Sequence, residues 1–220
     1  MYPMQEDMLL ELAAVIHDPV TTTDELIPSG ETSSYRSNPL KLSEFALSRR
    51  VPEYVGRSKR IQAEDLERRE GKCPADIEAV LEKVGAKAAD TSLGSCVFAN
   101  RPGDGSAREQ AASCQKVLGG DANICYEYAT KRYRSNVMNW GMVPFQMEAE
   151  PNFEVGDYVF VPGIRAALDG DLKDIAAYVV HADGAVEQIE LYIADMTAEE
   201  RAIVKAGCLI NYNKFKAAAE

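Results

Sequence analysis

The chain has 220 residues, with 24 lysines and arginines against 35 aspartates and glutamates, a formal charge of −11 and a pI near 4.8. That length can bury one sizeable core, and a field of that sign repels a nucleic-acid backbone unless basic groups gather on one face. No run approaches the roughly 18 apolar residues of a membrane span, and five cysteines without a C-x-x-C pair, beside two histidines, argue against both a disulfide framework and a local zinc site.

A cytoplasmic protein with buried, unreactive thiols is therefore expected, the N-terminus lacking the basic and apolar regions of a secretory signal. Met8–Ile16 fits a buried strand or a short helix, which periodicity cannot separate at this length. From Val20 to Asn38 the abundance of Thr, Ser, Gly and Pro reads as an ordered loop rich in hydroxyls and amides. Residues 40 to 72 mix Arg49, Arg50, Arg57, Lys59, Arg60, Arg68 and Arg69 with Glu53, Glu64, Asp65, Glu67 and Glu70. That mixture reads as a charged, peripheral, solvated excursion and not as an RNA-binding patch.

Ile77, Val80, Leu81 and Val84 recur at helical spacing after Pro74, with Gly85 as the stop. Leu93–Ala99 reads as a buried strand, Asn100–Gly105 as a loop, and a helix follows from about Ser106 to Gly119-Gly120. A strand at Ala122–Tyr126 and a helix over Glu127–Asn136 come next. Asp157–Val161, Ile175–His181 and Ala185–Ile193 are strand-like, the last two joined by an Asp183-Gly184 turn. Thr197 with Glu200 forms a capping-box pattern for a last helix that stops near Gly207. Alternating strands and helices followed by a hairpin predict an α/β fold with a mixed sheet, in one domain spanning 1–220.

The segment Gly103-Asp104-Gly105-Ser106-Ala107-Arg108-Glu109-Gln110 carries the chemistry. Glycines before a helix start bring a ligand close to amides that lack intrahelical acceptors, at the positive end of the dipole, which favours an anion. A serine oxygen held there beside Arg108 is stabilised as an alkoxide and can serve as a base. The alternative is plain helix capping, since Ser106 and Glu109 also fit a capping box.

That segment resembles the Gly-x-Gly-Ser-Ser-Arg-Glu-His/Gln motif of the aconitase family, which includes the isopropylmalate isomerases. Thr21-Thr22-Thr23-Asp24, with Gly30 and Arg36 downstream, is similar to a second family motif, and Lys131–Phe145 to a third; Lys205–Asn211 is a fainter echo. Ala107 stands where the family has a second serine, Glu25 where it has a histidine, and Gln110 where histidine is commoner, differences that look most like the family's hydratase branch.

The resemblance implies the three-layer β/β/α swivelling domain found at the C-terminus of these hydro-lyases. By the same carry-over Ser106 is the catalytic base, Arg36 and Arg108 bind substrate carboxylates, Ala107 lies at a substrate contact, and Asp24 orients an arginine unless it only makes an Asx-turn. It also implies a 4Fe-4S cluster held outside this chain, a cluster-bearing partner domain or large subunit, and a di- or tricarboxylate hydroxy acid as substrate, with a place in tricarboxylic acid metabolism. The chain alone is expected to be inactive, and an excised C-terminal piece is the expected origin. The competing expectation is a non-catalytic carboxylate-binding or regulatory module of the same fold.

Overall fold

The computed structural model describes residues 1–220, apart from the side chains of Ser29 and Glu31. Seven strands form one mixed sheet in the order β6-β5-β3-β1-β7-β8-β9: β1 (Asp7–Ile16), β3 (Thr91–Ala99), β5 (Gly120–Cys125), β6 (Val143–Gln146), β7 (Tyr158–Val161), β8 (Ile175–Val180) and β9 (Val186–Leu191). β2 (Thr21–Thr22) and β4 (Pro102–Asp104) pair separately. The first four sheet strands in spatial order are parallel, and β7, β8 and β9 continue the sheet antiparallel.

The sheet curls until its two edges meet. Gln146, at the end of β6, exchanges both backbone hydrogen bonds with Tyr192, just past β9, at 2.7 and 2.9 Å. Alternation along the strands then separates two cores, because successive side chains leave opposite faces. Leu10, Leu12, Cys96, Phe98, Ala122, Ile124, Phe145, Val159 and Val179 fill the interior of the curl. Leu9, Ala13, Val97, Ala99, Cys125 and Phe160 point outward to the helices. Two halves of a curled sheet under a helical layer make three layers, the α/β swivelling architecture expected above.

The helices are α1 (Thr23–Leu26), α2 (Ser29–Thr32), α3 (Pro39–Ser43), α4 (Tyr54–Arg69), α5 (Ala75–Val84), α6 (Arg108–Val117), α7 (Lys131–Asn139), α8 (Ile164–Ala167), α9 (Ala198–Ala206) and α10 (Leu209–Ala219), with 3-10 turns at Ser33–Tyr35 and Ala88–Asp90. α5 stops at Gly85 in the left-handed region, and α9 carries both capping-box bonds of Thr197 and Glu200 and stops at Gly207. Each follows from its punctuation in the sequence.

Two expectations fail. Residues 40–72 are not peripheral: Leu42, Ala46, Leu47, Tyr54, Val55 and Ile61 are all buried, and α4 lies across β1 and β3. Its charges run along the outer face, while Asp65 and Arg68 are buried and paired at 2.8 Å, so a polar-looking helix supplies a core lid. The Val20–Asn38 stretch is not a plain loop either. It is a strand and successive helical turns, started by a Thr22–Glu25 capping box in which Glu25 accepts the Thr22 N–H at 2.7 Å.

Candidate functional site

The three motifs, which begin at Thr21, Gly103 and Lys131, are neighbours in space. β2 pairs with β4 in parallel, placing Thr21 opposite Pro102 and Thr22 opposite Asp104. From the other side the entry to α7 closes on the same segment: the Ala129 N–H donates to Pro102 O at 2.9 Å and the Thr130 hydroxyl to Gly103 O at 3.2 Å. The two glycines are required by neighbouring side chains. A Cβ at Gly103 would lie 2.4 Å from the Tyr133 ring, and one at Gly105 would lie 2.1 Å from Thr23 Oγ1. Both also have positive φ, 102° and 135°, where other residues are strained.

Ser106 follows this loop and is exposed. α6 starts at Arg108 with Ala107 as its cap, and no side chain caps it, so the Ser106–Glu109 capping box is absent. Glu109 instead accepts a hydrogen bond from Trp140 Nε1 at 3.1 Å. The first intrahelical bond runs from the Ala111 N–H to Ala107 O, which leaves the amides of the first turn available at the positive end of the dipole.

Ser106, Ala107 and Gln110 form one wall of a cleft of about 320 Å³; Ile27, Thr32, Arg36 and Leu42 form the other. The structure therefore brings together Ser106, Ala107 and Arg36 of the residues singled out from sequence. Arg36 is exposed, and its guanidinium has no hydrogen bond or ion pair among the described residues. Arg108 lies on the first turn of α6, partly buried and outside the cleft lining, and its Nε is buried without a partner among the described residues. Asp24 is exposed and forms an ion pair with Arg49 at 3.1 Å. The described side chains of the lining include no carboxylate. In a chain of charge −11, an arginine with no acid beside it among the described residues of a cleft is a potential anion contact.

Sequence reading missed Ile27, Thr32 and Leu42. Thr32 and Ile27 lie in the stretch read as a loop, and Leu42 in the one read as periphery. The helical spacing that would have revealed them is cut into pieces of four or five residues, too short to register as a period. Glu25 also changes meaning: its carboxylate is engaged at the α1 cap, and it does not line the cleft.

The cysteines do not form a cluster-binding set. Cys96, Cys114, Cys125 and Cys208 are buried on separate elements, Cys73 is partly exposed, and burial raises the thiols of Cys96, Cys114 and Cys125. Among the described residues no group of three or more His, Cys, Asp or Glu side chains is arranged to hold a metal ion. No described helix is long and apolar enough to cross a membrane.

No protein-family model matches the chain. Over 127 residues it is 29% identical to aconitate hydratase A of Bradyrhizobium diazoefficiens, an alignment covering 53% of this chain and 13% of that protein. The chain thus spans a small part of that relative's length. In fold it is similar to the crystal structure of 3-isopropylmalate dehydratase from Methanocaldococcus jannaschii, with a TM-score of 0.61, 18% identity, and coverage of 97% of this chain and 96% of that one. The partial match to an aconitate hydratase agrees with the family resemblance of the three motifs, and the swivelling α/β fold is the one shared with the 3-isopropylmalate dehydratase structure.

Proposed function

We propose that this chain supplies half of a hydro-lyase active site acting on a hydroxy acid with two or three carboxylates. The observation that carries the reading is the cleft that joins the Ser106 hydroxyl to the Arg36 guanidinium, unpaired among the described residues, with no carboxylate on its described lining. Arg36 binds a substrate carboxylate in a planar, two-pronged contact. The Ser106 oxygen takes the proton from the carbon next to the one that loses hydroxide, and the first-turn amides of α6 together with Arg108 hold the charge that develops on it. Ala107 offers a methyl group, and with Ile27 and Leu42 it makes the cleft partly apolar. That lining suits a dicarboxylate with an apolar substituent better than citrate.

Among the described residues no group of side chains is arranged to hold an iron-sulphur cluster. The cluster implied by the family belongs, in this reading, to a partner domain or large subunit, where it supplies Lewis-acid help to the departing hydroxyl. The chain alone is then inactive. Ala107, lacking the hydroxyl that the family uses, is the one feature favouring the second reading, a module that binds carboxylates without turnover.

One experiment separates them. The chain is combined with the cluster-bearing part, and hydration of cis-aconitate and of an alkyl-substituted maleate is followed by loss of ultraviolet absorbance. A catalytic Ser106 predicts that Ser106→Ala lowers turnover by at least about a hundredfold, with an unchanged melting curve because the hydroxyl caps nothing. Equal rates for wild type and variant would refute the catalytic role. Turnover by the 220 residues alone would refute the shared site.

A further inference from the structure

The third motif, Lys131–Phe145, has no part in the cleft lining and so no direct contact with substrate in the proposed mechanism. Its environment gives it another role. Tyr133 is fully buried, and its ring packs on Gly103 where no Cβ could fit. Beyond the ring, the Tyr133 hydroxyl donates to Asn123 Oδ1 at 2.6 Å, Asn123 Nδ2 donates to Gln115 Oε1 at 2.7 Å, and Gln115 Nε2 donates back to the Tyr133 oxygen at 2.9 Å. The three bonds form a closed cycle with a single sense.

Gln115 is 3% exposed, Asn123 1% and Tyr133 0%. In such a place an unpaired amide or hydroxyl is costly, so the cycle holds its members in one arrangement. It joins three elements: Gln115 stands on α6, Asn123 on β5 and Tyr133 on α7. α7 adds a second hold on the same loop. Thr130, the α7 cap, accepts the Tyr133 N–H at 3.1 Å and donates its hydroxyl to Gly103 O at 3.2 Å.

We infer that Tyr133 and Thr130 are positioning residues that clamp the Gly103–Ser106 loop, so that the serine oxygen meets the first-turn amides of α6 at a fixed distance. The loop would otherwise be loose, because it contains two glycines and its serine forms no cap. The inference rests on the serine reading above for its catalytic consequence, but the clamp itself is a property of the chain.

The experiment compares Tyr133→Phe, which keeps the ring and removes the hydroxyl, with Thr130→Val, which keeps the shape and removes the bond to Gly103. Amide hydrogen exchange of the 220-residue chain is read at residues 103 to 107, with β1 and β3 as internal controls. The expected result is exchange at least about tenfold faster in the loop with unchanged protection in the sheet, while Thr130→Ser, which restores the hydroxyl, returns it to the wild-type rate. In the assembly with the cluster-bearing part, both variants move the rising limb of the pH–rate profile upward, since a loosened oxyanion needs a higher pH to form.

Unaltered loop exchange in both variants overturns the clamp whatever the activity. Faster exchange spread evenly over sheet and loop also overturns it, because that is a loss of global stability. Should the wild-type assembly prove inactive, the serine reading falls, and the exchange result alone decides the clamp.

Discussion

The two faces of the curled sheet are built on different rules. The interior is closed on itself and filled with Leu, Val, Ile, Phe and Met. The helix-covered face, equally sheltered, admits Glu11, Asn123, Gln115, Asp65 and Arg68 among its buried groups. The helices that reach this interior bring only apolar side chains, Met138 of α7, Ile164 of α8 and Val204 of α9, so nothing there could satisfy a polar group and it stays apolar. The other face has backbone ends, caps and long side chains from α4, α6 and α7 within reach, and it can bury polar groups because it can pair them. Shape is set on one side, and the candidate chemistry is hung on the other.

The largest expected effect comes from breaking the interior. Phe145, fully buried there, leaves a cavity on replacement by alanine, and Phe145→Ala is expected to lower stability by about 3–5 kcal/mol, read by denaturant unfolding. The cycle on the helix face should respond less and for a different reason. Asn123→Leu fills a similar volume but leaves the Gln115 Oε1 acceptor and the Tyr133 O–H donor without the partner each had, an expected loss of about 1–3 kcal/mol, with exchange rising first around residue 103. A loss equal to that of Phe145→Ala, with no local signature, would show that the two faces do not differ in kind.

The smallest effect concerns pH. On the helix face, Glu11 and Glu64 share the Arg60 guanidinium, and each has a second carboxylate oxygen buried without a hydrogen-bond partner among the described residues. Burial, with Asp76 alongside, pushes the Glu64 carboxyl up to about 7, and burial also raises Glu11. A carboxyl whose folded pKa is raised binds its proton more tightly in the native state, so stability falls as pH rises from the unfolded value, near 4.5, through 7. Glu64→Gln should flatten that decline. Melting temperatures from pH 4 to 8 check it, and parallel curves for variant and wild type would remove Glu64 as the source.

Much of the fold could be read from the residues, for reasons visible in particular elements. α9 shows both its capping box and its glycine stop, and the β8–β9 turn shows its Asp-Gly pair. α4 was hidden because its charged face is wider than its apolar one, so composition outweighed the spacing of Val55, Ser58, Ile61, Asp65 and Arg68. α10 carries no buried residue, and thus no periodic signal to detect. At the site, Ser106 and Arg36 were recognisable from motif spacing, and their meeting in one cleft required the β2–β4 pairing. Tyr133 could not be singled out from sequence, because its importance lies in the missing Cβ of Gly103, thirty residues away.

The seam between Gln146 and Tyr192 has a consequence for life in a crowded solution. A sheet ordinarily offers its outermost strands to any passing chain, and an unpaired row of amides is a template for fibres. Here the first and last strands in spatial order lean on each other through one residue pair, and beside that join stand Glu148, Glu150, Asp174 and Glu190. A foreign strand seeking entry would have to displace the pair and bring its backbone past those acids, so the join that closes the ring also discourages self-association there.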